Sequence, residues 1–70
     1  MEKLIANRGK YRIVEIGGIL STTLYLQVKK WYGYINISSI TVERDSPYFQ
    51  RDYHYYIREF HDILLKLEEI

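Results

Sequence analysis

From Thr23 to Trp31 the chain alternates without a break: Leu24, Leu26 and Val28 fall on one parity, Tyr25, Gln27, Lys29 and Trp31 on the other. A period of two is that of a β-strand whose faces meet different surroundings. The pattern predicts a strand over about 19–31, preceded by one over about 8–16. Between them, Gly17-Gly18 has the composition of a two-residue hairpin turn, because glycine accepts positive φ. A third segment, about 34–44, follows a turn expected at Tyr32-Gly33. Its alternation changes phase, since Ile35 and Ile37 share one parity and Ile40 and Val42 the other. A bulge at Ser38-Ser39, or a break there into two short strands, would return all four to one face.

Beyond Asp45 the period changes to that of a helix. Ser46 suits the N-cap and Pro47 the first helical position, where a missing N–H costs nothing. Over 47–69, Phe49, Tyr53, Tyr56, Ile57, Phe60, Ile63, Leu64 and Leu67, with Ile70 beyond, fall within an arc of about 140°. Such a helix is about 34 Å long, more than a strand of ordinary length covers. Part of its stripe, through Phe49, Tyr53, Tyr56, Phe60, Ile63 and Leu67, is therefore expected to meet a second copy. The expected fold is a single α+β domain over 1–70: an antiparallel sheet of three to four strands and one long C-terminal amphipathic helix, as a homodimer.

The two turns imply a register. A loop at Gly17-Gly18 pairs Ile16 with Ile19, and sets Arg12 opposite Thr23, Lys10 opposite Tyr25 and Arg8 opposite Gln27. A loop at Tyr32-Gly33 sets Tyr34 opposite Trp31, Asn36 opposite Lys29 and Ser38 opposite Gln27. Opposed residues share a face. One face then collects Tyr11, Ile13, Leu24, Leu26, Val28, Ile35 and Ile37 as a core for the helix. The other collects Arg8, Lys10, Arg12, Tyr25, Gln27, Lys29, Trp31, Tyr34, Asn36 and Ser38.

Charge sharpens the picture of that second face. The net charge is only +1, yet residues 1–44 carry a balance of +4 and residues 45–70 one of −3. The proposed face holds cations and aromatics and no acid. There is no cysteine, which excludes disulfides and thiolate metal sites. His54 and His61 lie two helical turns apart, roughly 10 Å, too far for one metal. No metal or cofactor is expected. No nucleophile, phosphate loop or converging carboxylate pair is evident, so an enzyme is not expected. Glu15, at the rim of the core face, is expected to be solvated. No apolar run approaches the roughly 18 residues of a membrane span and no signal-peptide pattern opens the chain, so a cytoplasmic protein without membrane attachment is expected.

Cations interleaved with aromatics on an exposed sheet suit single-stranded nucleic acid. Unpaired bases stack on Trp and Tyr, contributing roughly 1–3 kcal/mol each, while Lys and Arg neutralise phosphates. Gln27 and Asn36 can hydrogen-bond without imposing much sequence choice. Duplex DNA fits less well, because the one helix belongs to the acidic half.

The run Gly9-Lys10-Tyr11-Arg12-Ile13-Val14-Glu15-Ile16, a Gly turn and Leu26-Gln27-Val28-Lys29-Lys30-Trp31-Tyr32 together resemble the DNA-binding domain of the PC4/Sub1 family of transcriptional coactivators. Element order, length and the single final helix match over nearly the entire chain. The resemblance implies a homodimer paired through its helices, whose curved four-stranded sheets form a channel for single-stranded or unwound DNA. It assigns Lys10, Arg12, Lys29, Trp31 and Tyr32 to that channel. The chain departs from the family at Ser38-Ser39-Ile40-Thr41, where a basic, glycine-containing segment is usual, and at Tyr48-Phe49, where a Trp is common. The expectation is single-stranded DNA binding with little sequence specificity, in transcription, replication or repair. RNA binding by the same face is the close variant. A protein-interaction module using the aromatic face or the helix is the alternative.

Overall fold

The structure is a computed structural model and describes residues 2–68. Four strands precede one helix: β1 (Glu2–Arg8), β2 (Tyr11–Gly17), β3 (Ser21–Lys30), β4 (Gly33–Glu43) and α1 (Phe49–Glu68). The strands form one antiparallel sheet in the order β1-β2-β3-β4, and the helix lies on one side of it. The fold is α+β, as the periodicities predict. The helix starts at Phe49, two residues later than expected, and residues 69 and 70, with the predicted stripe residue Ile70, lie outside the described residues.

The fourth strand comes from the N-terminal end of the chain, not from a break after Ser38-Ser39. β1 has few apolar residues, and a register shift between Leu4 and Ala6 spoils its alternation. Gly9, at φ 58°, turns the chain back, so Arg8 and Lys10 do not belong to β2 as the sequence predicts. Only glycine adopts that conformation without a steric cost.

Both predicted hairpin registers are displaced. Ile16 lies opposite Thr23, not Ile19, because the β2–β3 connection is the longer Gly18-Ile19-Leu20 segment. Neither Gly17 nor Gly18 takes positive φ. Gly17 instead admits the Arg44 side chain: a Cβ there would lie 2.8 Å from Arg44 Nη2. In the second hairpin the loop is Trp31-Tyr32, and Gly33 follows it at φ 131°. Tyr34 therefore lies opposite Lys29, and Asn36 opposite Gln27. Both displacements are even in number, so each strand keeps its predicted face up to the bulge. That bulge falls at Ile37, between Asn36 and Ser38. It restores Ile40 and Val42 to the helix side, as expected, but carries Ser38 there as well.

Ile13, Leu24, Leu26, Phe60 and Leu64 form the buried centre, each no more than 5% exposed. Tyr11, Ile40, Tyr53, Tyr56, Ile57 and Leu67 pack around it. Each fully buried aliphatic side chain contributes about 1.5–3 kcal/mol. Ser46 closes a turn just ahead of the helix, with the Tyr48 N–H donating to Ser46 Oγ at 3.2 Å and the Phe49 N–H to the Ser46 carbonyl at 3.1 Å. Pro47 therefore lies in that turn and not at the first helical position as expected.

Glu15 is not solvated. It is half-buried beneath the helix, accepting hydrogen bonds from Thr22 Oγ1 at 3.2 Å and from the Tyr53 hydroxyl. Burial, followed by the hydrogen bond and charge of Glu15, pushes the Tyr53 hydroxyl up to about 12; Arg44 opposes the shift.

Candidate functional site

The sheet face opposite the helix is covered by no element of the chain among the described residues. Its rows follow from the register. Asn7, Arg12, Gln27 and Asn36 form one row across all four strands. To one side lies a row of Lys29 and Tyr34, with Lys10 level with them, since the Lys29 N–H donates to the Lys10 carbonyl at 2.7 Å. To the other side come Leu4, Val14, Tyr25 and Ser39, then Glu2, Ile16, Thr23 and Thr41.

The row through Arg12 is tied together by side chains. Arg12 Nε donates to Gln27 Oε1 at 2.7 Å, and Gln27 Nε2 donates to Asn36 Oδ1 at 2.8 Å. The Arg12 guanidinium carbon stands 3.5 Å from the centre of the Tyr34 ring, so the side chain reaches over β3 to stack on β4. These contacts fix direction as well as position. Arg12 Nε and the Gln27 amide are engaged, and the Nη groups of Arg12 and Nδ2 of Asn36 remain to meet a ligand. All are donors, as are the ammonium groups of Lys10 and Lys29. Such a row suits anionic or carbonyl oxygens.

Several expected neighbours are not brought together. Tyr25 lies opposite Val14, not Lys10, and belongs to the apolar half of the face. Trp31 is not paired with Tyr34: it sits at the hairpin tip, 95% exposed, edge-on to Tyr32 with ring centroids 5.1 Å apart. The two-residue loop that puts Lys29 beside Tyr34 pushes Trp31 past the strand end. Arg8 lies opposite Tyr11 and so is placed toward the helix side, away from Arg12. The tight turn at Gly9 causes that inversion.

The face is also less uniform than its sequence list. Glu2 and Glu43 share it, at the end away from Lys10 and Lys29. Leu4 is 56% exposed and Ile16 43%, while Val14 is buried among its cross-strand neighbours. Basic and aromatic chemistry is thus gathered at the end bearing the Gly9-Lys10 and Trp31-Tyr32 turns. Asn7, missed in the sequence, extends the polar row to the β1 edge; no periodicity marks it, because β1 itself is irregular.

Of the six helix residues expected to meet a second copy, Phe60 is buried, and Tyr53, Tyr56 and Leu67 pack on this chain's own core. Phe49 is half-buried and stacks on Tyr53 at 5.5 Å between centroids. Ile63 alone stays exposed, at 38%. A cleft of about 290 Å³ between β4 and the helix start is lined by Thr41, Val42, Glu43, Ser46, Asp52 and Tyr56. It carries two acids and no cation, and so does not attract phosphate. No helix among the described residues is long and apolar enough to cross a membrane.

In comparisons with known proteins, no family model, no curated protein and no solved structure matches this chain.

Proposed function

We propose that this protein binds single-stranded nucleic acid, DNA in preference to RNA, with little sequence specificity, as a homodimer of the PC4-like kind acting in the cytoplasm. The observation that carries the reading is the Arg12–Gln27–Asn36 row with Arg12 stacked on Tyr34. It presents oriented donors on an uncovered sheet, with Lys10 and Lys29 in the next row and an exposed tryptophan at the hairpin tip beyond them. Phosphates meet Lys10, Lys29 and Arg12, and unpaired bases stack on Trp31 and Tyr34. Gln27 holds Arg12 and Asn36 in place, and Nδ2 of Asn36 adds a hydrogen bond that any base edge can accept. Duplex recognition has less support, because the helix packs its apolar side on the sheet and places no basic face for a groove.

Trp31 is the chain's one tryptophan, which makes the test direct. Titration with oligo-dT quenches its fluorescence, and the affinity falls as salt rises. Lys29→Ala with Trp31→Ala weakens binding at least tenfold. Absence of binding at low salt, or no effect of that double substitution, would overturn the reading.

Ile19 at 94% and Leu20 at 72% exposure favour a second reading, a protein-interaction module. A partner held at that loop survives nuclease treatment and is released by Ile19→Ser with Leu20→Ser. Oligo-dT binding is unchanged by that pair if the basic end carries the function.

A further inference from the structure

The two edges of the sheet are built differently. β1 carries Glu2, Lys3 and Arg8 and is interrupted by a bulge, features that discourage a further strand from pairing. β4 has no charged residue and no proline from Gly33 to Val42. Asn36, Ile37, Ser38, Ser39 and Thr41 are all exposed along it. Its bulge at Ile37 leaves Ser38–Glu43 as a regular run, paired with β3 on one side. An edge of this kind is a template: a strand laid against it completes a second ladder of backbone hydrogen bonds.

We infer that β4 pairs antiparallel with β4 of a second copy about a two-fold axis, joining the two sheets into one. The ends of the strand argue for its own copy as the occupant. β4 leaves the basic hairpin of Lys29 and Lys30 and ends at Glu43, with Asp45 just beyond, while the intervening Arg44 is turned over Gly17. An antiparallel two-fold sets the acidic end of each β4 alongside the basic end of the other. No like charges meet along the uncharged run between them. The helix is the weaker candidate, because its own sheet covers its main apolar side and Ile63, Leu65 and Tyr55 stand apart from that core. The inference rests on the dimeric part of the reading above, with β4 in place of the helix pairing that the PC4-like resemblance implies, and not on nucleic-acid binding.

The test is the solution mass of the full chain by light scattering, with circular dichroism to establish folding. Wild type has twice the 8.5 kDa chain mass. Ser38→Lys with Ser39→Lys, which puts like charges at the two-fold, yields a folded monomer; Ile63→Lys stays dimeric. The chain has no cysteine, so cysteines placed singly at Ser38, Ser39 and Thr41 report the contact independently of those lysines. At least one forms an intermolecular disulfide on oxidation, and Ile63→Cys does not. A monomeric wild type overturns the inference, as does a dimer split by Ile63→Lys but not by the β4 lysines, or cross-linking at 63 alone. Oligo-dT titration of the same samples separates the two ideas. A monomeric β4 variant that binds supports both; a wild-type dimer that fails to bind removes the nucleic-acid reading and leaves the β4 interface standing.

Discussion

Arg12 on β2 stacks its guanidinium on the ring of Tyr34 on β4, 3.5 Å from the ring centre, while its Nε donates to Gln27 on the strand between them. One side chain thereby joins three strands and is held flat and outward. A lysine has the charge but neither the plane nor the fork of donors. Arg12→Lys is expected to lower oligo-dT affinity by about 1 kcal/mol, roughly fivefold, with the salt dependence unchanged. Tyr34→Phe keeps the ring and binds like wild type; Tyr34→Ala behaves like Arg12→Lys or worse. Equal affinity in all four proteins would show that the stacked geometry contributes nothing.

Tyr53 tests the buried polar contact under the helix. Its hydroxyl is raised from the ordinary 10 to about 12, so the folded state favours the neutral phenol. The stabilisation is fully present below pH 10 and is lost as pH rises from 10 through 12. Its size is about 1–2 kcal/mol once solvent screening of a half-buried group is allowed for. Urea denaturation of wild type and Tyr53→Phe, compared from pH 8 to 12, should show a difference in pH dependence confined to that window. Parallel curves across it would rule the contact out as the source.

Two glycines separate strain from space. Gly33 has open room for a Cβ but sits at φ 131°, whereas Gly17 has ordinary φ and the tip of Arg44 close by. Gly33→Ala is expected to cost about 1 kcal/mol or more through backbone strain. Gly17→Ala costs less, because the end of a long side chain swings aside. Thermal midpoints in the opposite order would contradict this assignment of roles.

The helix offers a matched pair one residue apart. Leu64 is 1% exposed in the core and Ile63 is 38% exposed. Leu64→Ala is expected to cost about 2–5 kcal/mol. Ile63→Ala costs under about 1 kcal/mol within a single chain. A large loss at Ile63 that grows with protein concentration would point to a helix-mediated dimer.

What the sequence determined by itself is the assignment of faces from Tyr11 to Asn36. Side-chain direction within a strand depends only on parity, and both turns differ from expectation by an even register shift, so Leu24, Leu26 and Val28 face the helix, and Arg12, Gln27, Lys29 and Asn36 face away. The helix was equally legible, because Ser46-Pro47 and a 3.6-residue stripe are local signals. Opposed pairs were not. A Gly-Gly pair fits a tight turn and also a close approach, and only the packing of Arg44 over Gly17 decides between them. β1 escaped notice because a bulge erases its period, and with it went the place of Arg8 and Asn7. The chain of contacts from Arg12 through Gln27 to Asn36, with Arg12 stacked on Tyr34, depends on register across three strands, a quantity that no single segment encodes. The opening stretch thus divides: its Lys29 joins that site, whereas Trp31, one step beyond the strand, stands at the tip and is free to meet a ligand from outside.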